Sequence, residues 1–373
     1  MNQTSKFSIP SLNGLRTASI LIVFLGHAMS LGLSFGGGLG VTIFFFISGY
    51  LITTLLRREF DRNGRIALGD FYLRRAFKIM PPMYLSIAFG VLVTLVGLVP
   101  LAISIGGVTA SALYFANYWR ALGIPGIPEP MFILWSLAVE EHFYLLFPIL
   151  YIVLRRFVPR VRRQVLVLVA ICIAVLAWRC YLYFAVGVAW QPMNIRTDTR
   201  LDALLWGCVL AIGFNPALDP PRGPDFFWKW IAAPLGAIVT VVANRGVGFE
   251  SHVGYTLQSL GIGVIVVSVV RFPKFFAFRP LNWKPVIWLG DLSYSFYLVH
   301  YYFIYWADTH LDMSGVSKTA VAFVLTVLMA WGMYRLVETP FAILRKRRSH
   351  AGEETAQDEG HQIVIDEAVR APR

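Results

Sequence analysis

The chain has 373 residues, of which 57% are apolar and only 14% are charged, against roughly 25% charged residues in soluble domains. It is nevertheless basic, with 33 Lys and Arg against 21 Asp and Glu. This combination excludes an ordinary cytosolic enzyme, a disordered tail and a disulfide scaffold. It indicates an all-α, polytopic membrane protein whose positive charges are sorted to one side of the bilayer.

Long apolar runs predict about ten transmembrane helices, because about 20 apolar residues cross a hydrocarbon core. The first run follows a polar start and has no small-residue cleavage site, so we expect a retained span and not a signal peptide. The transmembrane unit is predicted at 1–348, followed by a polar, disordered cytoplasmic tail at 349–373. The predicted spans are 12–34, 38–56, 79–99, 131–153, 165–187, 199–214, 227–243, 254–270, 286–306 and 318–337.

Basic residues are concentrated in alternate connections between these spans. The positive-inside rule then predicts cytoplasmic N- and C-termini for a multi-pass protein of the cell membrane. It also makes 100–130 an extracytoplasmic loop, with an interfacial or re-entrant helix as an option, because a crossing at 102–118 would place five arginines outside. The basic connections are 57–78, 154–164, 271–285 and 345–348, and the sparse ones hold Arg120, Arg196, Arg245 and Lys318.

The first span carries Arg16 and His27, eleven residues apart. Three helical turns bring both onto one face, about 16 Å apart along the axis. A histidine can give or take a proton near neutral pH, and ionisable groups inside a span are functional by default. The alternative is a histidine that only bonds a neighbouring helix, with Arg16 snorkelling to the interface.

Near spans two and three, polar residues have two readings each. Ser48 and Gly49 favour close helix packing, and Ser48 has no base beside it in its span. Arg74, Arg75 and Lys78 precede span three and form either a phosphate-binding cluster or a plain positive-inside signal.

Span four carries Trp135, Glu140 and Glu141 near its predicted outer end. Two adjacent acids point to different helix faces, so at most one is expected to face the bundle. That acid could orient a histidine or bind a hydroxyl. The alternative is an anchor at the membrane interface.

Two later spans also carry polar side chains. In span six, Arg200 and Asp202 form either a structural ion pair or a binding contact. In span nine, Tyr297 and His300 are three residues apart and serve either packing or binding. The sequence has no metal-ligand spacing, no P-loop and no dinucleotide fingerprint, and its membrane-sorted charge does not indicate nucleic-acid binding.

Six of these segments, in this order, resemble membrane-bound acyltransferase family 3, whose members acylate sugars of surface polysaccharides, peptidoglycan and some antibiotics. The resemblance covers about 12–340. The segments are LNGLRTASILIVFLGHA, GVTIFFFISGYLITTLL, DFYLRRAFKIMPPMY, LWSLAVEEHFYLLFP, TRLDALLWG and LGDLSYSFYLVH.

The family resemblance implies roles for particular residues. A basic residue, ten intervening residues and a catalytic histidine match Arg16 and His27. The family's arginine pair for the acyl-CoA donor matches Arg75, but Lys78 replaces the second arginine and loses bidentate phosphate geometry. Thr42 stands where family patterns often have an acid. Trp135, Ser136, Glu140 and the late histidine, His300, also match.

The implied activity is an O-acyltransferase that moves an acyl group, with acetyl the first expectation, from acyl-CoA to a hydroxyl of a carbohydrate or glycosylated acceptor. His27 would be the general base, oriented by Glu140, without a metal. A covalent acyl-histidine is the mechanistic variant. The chain resembles stand-alone members without an esterase-like domain, and its oligomeric state, homodimer included, stays open. The rival hypothesis is a secondary transporter or flippase that performs no chemistry.

Overall fold

The computed structural model describes residues 9–28, 31, 36–99 and 102–345 and contains helices but no strand within those ranges. The predicted tail lies outside the described residues. The helices are α1 Pro10–His27, α2 Gly37–Asn63, α3 Leu68–Leu95, α4 Ile105–Ala112, α5 Ala116–Ala121, α6 Leu134–Phe157, α7 Val161–Tyr181, α8 Trp190–Ile195, α9 Thr197–Gly213, α10 Ala233–Val242, α11 Gly246–Phe249, α12 Tyr255–Arg271, α13 Lys284–Asp291, α14 Ser293–His310 and α15 Gly315–Met333.

Six helical stretches in the described part are long and apolar enough to cross a membrane, which supports a multi-pass membrane protein. The other four predicted spans coincide with α1, α9, α10 and α14, which are shorter or more polar. The count of ten therefore stays a prediction. The six stretches are Gly37–Asn63, Leu68–Leu95, Glu129–Phe157, Val161–Val186, Glu250–Arg271 and Gly315–Arg345.

Helix α2 is the centre of the bundle, packed against α1, α9 and α12. A Cβ on Gly49 would collide with the backbone carbonyl of Leu204 in α9, so the two helices approach as closely as their backbones allow. Small residues permit such contacts between membrane helices. The packing role predicted around Gly49 is therefore confirmed, whereas neighbouring Ser48 has a different environment.

The segment predicted as a loop at 100–130 is not a regular span where it is described. It holds the short helices α4 and α5 and a 3₁₀ turn, Glu129–Met131. Gly126 has a positive φ of 102°, and its carbonyl accepts a hydrogen bond from the Ser104 N–H at 3.0 Å. The turn-rich tip thus folds back on the start of the segment and does not continue as a helix.

Ion pairs tie two of the predicted basic connections, 57–78 and 154–164, to each other and to the stretch after α9. Arg57 of α2 reaches Asp219 after α9 at 2.5 Å, and Arg155 at the end of α6 reaches Asp61 at 2.9 Å. Arg74 pairs with Glu59 at 3.2 Å. These two connections therefore lie at the same end of the bundle, and the side of the membrane that this end faces stays a prediction.

Candidate active site

The last residue of α1, His27, lies against α14. Its Nδ1 is 2.9 Å from the carbonyl oxygen of Val23, one turn back in the same helix. The Nε2 of His300 lies 3.3 Å from the same Nδ1, and the Nδ1 of His300 lies 2.6 Å from the carbonyl oxygen of Tyr297. The first and ninth predicted spans therefore bring two histidines into contact.

These contacts assign one set of tautomers to the two rings. A carbonyl oxygen can only accept, so each neutral imidazole must carry its hydrogen on Nδ1 to bond its carbonyl. His27 then donates from Nδ1 to Val23 and towards the lone pair on Nε2 of His300. The Nε2 of His27 keeps a lone pair and can act as a base.

His27 lines a cavity of about 510 Å³, here called the His27 cavity. This volume falls within the range of about 300–1,000 Å³ that is usual for small-molecule sites. Tyr301 lies 4.8 Å from the His27 ring, centre to centre, and donates from its hydroxyl to Glu129 at 3.0 Å. Other lining residues are Gly36, Gly37, Gly38, Val41, Arg120, Phe132, Trp135, Trp190, Gln191, Asn194, Glu250, Tyr255 and Tyr297.

Glu140 does not lie beside His27, which corrects the expectation that it orients this histidine. Its Oε1 accepts a hydrogen bond from Ser48 at 2.7 Å, and Ser48 in turn accepts one from the Tyr144 hydroxyl at 3.1 Å. The Val23 carbonyl and His300 occupy the position expected for the acid. Glu140 sits at a different depth of the bundle, in a second cavity.

This second cavity, the basic cavity, holds three cations on its walls, Arg16, Arg75 and Lys78. Arg75 stacks on the Tyr144 ring, with 4.8 Å between the guanidinium carbon and the ring centre. The cavity continues into a wide basic vestibule that shares the three cations and adds Arg62, Arg74 and Arg345. The residues predicted to bind phosphate thus converge, although Arg74 lies further out.

The basic cavity and the His27 cavity share two lining residues, Val41 and Tyr297. The Tyr297 hydroxyl donates to the carbonyl oxygen of Ile133 at 2.9 Å and accepts from Ser136 at 2.7 Å. Trp135 lines one cavity and its neighbour Ser136 the other. The two cavities therefore adjoin at Val41 and Tyr297.

Arg200 and Asp202 line neither cavity, which corrects the expectation that they contact substrate. They also do not pair with each other. Asp202 pairs with Arg179 through two bonds of 2.8 and 2.9 Å. Arg200 donates to Thr42 at 3.0 Å and lies 3.5 Å from the centre of the Tyr255 ring, so both residues support the cavity wall from behind.

Several lining residues were missed from the sequence. The sequence favours a packing role for Ser48, because the acid that accepts its hydrogen bond, Glu140, lies on another helix and not within its own span. Glu129 lies in the turn-rich tip of the 100–130 segment, and the sequence predicts no function for it. Glu250 lies just before the predicted span 254–270, and a single acid at the end of an apolar run would have indicated a candidate site residue.

The chain matches a known protein family and several O-acetyltransferases over most of its length. The family model described as an acyltransferase domain matches residues 9–335. The peptidoglycan O-acetyltransferase OatA of Listeria monocytogenes is 29% identical over 91% of this chain. The O-acetyltransferase OatA of Staphylococcus aureus, strain MRSA252, is 32% identical over 91% of this chain. No solved structure matches.

The chain spans 57% and 60% of the lengths of these two relatives. The match to the family model nevertheless runs from the first described residues to the end of α15 and includes both cavities. The chain therefore belongs to the acyltransferase 3 family, as its six sequence segments indicated.

Proposed function

We propose that the chain is a membrane O-acetyltransferase that transfers an acetyl group from acetyl-CoA to a hydroxyl of a glycan, with peptidoglycan-like polysaccharide as the acceptor class. The observation that carries this proposal is His27, whose Nδ1 is engaged by Val23 and His300 and which lines a cavity that meets a second, cationic cavity at Tyr297. A base, a donor seat and an acceptor seat are then adjacent. The names of the relatives support O-acetylation and a carbohydrate acceptor.

The proposed topology has ten spans with both termini in the cytoplasm. It places the basic vestibule on the cytoplasmic side, where acyl-CoA is made, and the His27 cavity on the opposite side, where cell-wall glycans lie. The basic connections support this orientation through the positive-inside rule. The two substrates would therefore enter from opposite faces and meet inside the bundle.

The donor seat consists of Arg16, Arg75 and Lys78, whose charges suit the phosphates of CoA. The basic cavity has a volume of about 80 Å³ and opens into the vestibule, so we assign to it only the slender end of the pantetheine arm. The rise of a helix places Arg16 and His27 about 16 Å apart along α1. The pantetheine arm would cover this distance between the phosphates of CoA and the thioester. Glu140, Ser48 and Tyr144 would line the path of the arm.

In the proposed reaction, Nε2 of His27 takes the proton of the acceptor hydroxyl as its oxygen attacks the thioester carbonyl. The tetrahedral intermediate then expels the CoA sulfur, which receives the proton from His27. The imidazolium formed in between is stabilised by the Glu129 carboxylate in the same cavity. His300 holds the ring in place through the contact to Nδ1, and is a positioning residue in this scheme.

The test is turnover by the purified full chain in lipid nanodiscs, with radiolabelled acetyl-CoA and muropeptide or chitooligosaccharide acceptors. We expect CoA release with label transferred to the glycan, and a loss of about 10²–10⁴-fold in kcat for His27→Gln. His310→Gln is the matched control, because His310 is exposed at the far end of α14 and lines neither cavity. Full turnover by His27→Gln would overturn the base assignment.

A further inference from the structure

Glu250 is a buried carboxylate in the wall of the His27 cavity, with 8% of its surface exposed. Its one hydrogen bond within the described ranges comes from the Gln258 amide at 3.3 Å. Among the described residues, no Arg, Lys or His nitrogen lies within 4.0 Å of it to form an ion pair. This carboxylate lines the cavity with few protein partners, so a bound group can complete its hydrogen bonds there.

The backbone directs this carboxylate towards the first residues of α2. Glu250 begins a π-helical segment, Glu250–Gly254, that leads into α12. Such bulges within helices occur frequently at functional sites. A Cβ on Gly38 would lie only 3.1 Å from Glu250 Oε1, so the glycine leaves the carboxylate room to approach. A Cβ on the preceding residue, Gly37, would lie 3.5 Å from Cε1 of the His27 ring. Glu250 and the proposed base therefore approach neighbouring glycines at the start of α2.

Asn194 adds a donor beside this acceptor. The Tyr255 hydroxyl donates to Asn194 Oδ1 at 2.6 Å, so the oxygen of the amide is engaged and its NH₂ group is left to donate. Asn194 and Glu250 both approach Gly38, at 3.9 and 3.1 Å from a Cβ built there. Arg200, stacked 3.5 Å from the Tyr255 ring centre, fixes the ring that holds the amide.

We propose that Glu250 and Asn194 form the subsite that recognises the acceptor, by binding two oxygens of the sugar next to the hydroxyl that is acylated. The Glu250 carboxylate accepts from one sugar hydroxyl, and the Asn194 amide donates to a neighbouring oxygen. This assignment rests on the proposed function and names the acceptor chemistry, a neutral polyhydroxylated ring. A cationic amine would fit the carboxylate but would leave the amide donor without an acceptor.

The arrangement separates recognition from chemistry. His27 acts on the reacting hydroxyl, whereas Glu250 and Asn194 hold the ring that carries it. A site built to bond a hydroxyl discriminates strongly against an analogue that lacks it, because its buried polar groups are then left unpaired. Loss of this subsite should therefore raise the KM for the acceptor more than it alters reaction of the bound donor with water.

The experiment compares Glu250→Gln and Asn194→Ala with the full-length wild type in nanodiscs. Two rates are measured, acetyl transfer to N,N′-diacetylchitobiose and acceptor-independent hydrolysis of acetyl-CoA. We expect Glu250→Gln to raise the acceptor KM by about 10- to 100-fold, as for the loss of a charge-assisted hydrogen bond, and Asn194→Ala by about 2- to 10-fold, as for a neutral one. In both variants the acceptor KM should change more than the donor KM or the rate of hydrolysis. Asp225→Asn, an exposed acid outside both cavities, is the control and should change neither rate.

The outcomes separate the subsite from the proposed activity. An unchanged acceptor KM in Glu250→Gln overturns the subsite, and so does an equal loss of transfer and hydrolysis, which would mean that Glu250 acts through His27 or the fold. If the wild type released no CoA, the proposed function would fail. Direct calorimetric binding of diacetylchitobiose would then decide the subsite alone, since Glu250→Gln must weaken it for the assignment to stand.

Discussion

Nε2 of His300 lies 3.3 Å from Nδ1 of His27, although the two residues are 273 positions apart in the chain. Each ring is also anchored to a carbonyl of its own helix, His27 to Val23 and His300 to Tyr297. The pair therefore has a defined orientation before any substrate binds. In the proposed reaction, this contact takes the place of the carboxylate that usually orients a catalytic histidine.

His300→Leu should lower kcat about 10- to 100-fold, because His27 then loses the acceptor that helps fix its ring, while the donor KM stays unchanged. His300→Gln keeps a polar group at that position and should recover part of the rate. Steady-state kinetics on both variants checks this expectation. Equal losses in the two variants would show that His300 serves packing alone.

The sequence predicted the parts of the site that lie on one helix and missed those that depend on contacts between helices. Arg16 and His27 could be placed because helical geometry fixes their relative position. Glu140 was expected beside His27. Its depth in the bundle relative to His27 depends on how α1 and α6 pack, and the sequence of the two helices does not give that packing. Glu250 reaches the site only through a π-helical segment that no composition pattern predicts.

The same limit applies to the fold. Each of the ten predicted apolar runs overlaps a helix in the described part of the chain, because hydrophobic length is set by the bilayer, although the run 286–306 covers parts of two helices, α13 and α14. Which helices touch depends on details such as the missing Cβ of Gly49, which allows the Leu204 backbone to approach. The partner of Asp202 was likewise open, and the structure selects Arg179 instead of its neighbour Arg200.

Val41 should limit the length of the acyl group, because with Tyr297 it lines the point where the two cavities meet. Val41→Ala should raise the ratio of kcat/KM for butyryl-CoA over acetyl-CoA about 10-fold, the usual scale for hydrocarbon groups in a tight pocket. Val324→Ala, an exposed position on α15, is the control. A ratio that stays at the wild-type value in Val41→Ala would contradict a size limit at this wall.

Lys78 should contribute to donor affinity through its charge. Lys78→Met removes one of the three cations of the basic cavity and should raise the KM for acetyl-CoA about 10-fold, with little change in the acceptor KM. Added salt should weaken donor binding less in the variant than in the wild type, because fewer charges are screened. Lys229→Met, remote from both cavities, controls for loss of positive charge in general.

The ion pair between Arg57 and Asp219 should make stability depend on acidity. Burial acts to raise the pKa of Asp219, but hydrogen bonds from Arg57 and from the Asn215 N–H outweigh it and hold this pKa below its ordinary value. A carboxyl with a depressed folded pKa adds stability above its unfolded pKa of about 3.9 and loses it as pH falls through the folded value. Asp219→Asn should therefore cost roughly 1 kcal/mol at neutral pH, and the difference from wild type should shrink as pH falls below the unfolded pKa and through the lower, folded pKa of Asp219. Thermal unfolding in detergent from pH 7 to about pH 2 measures this, and a difference that does not shrink as the pH falls would show that Asp219 stabilises the fold by packing rather than by charge.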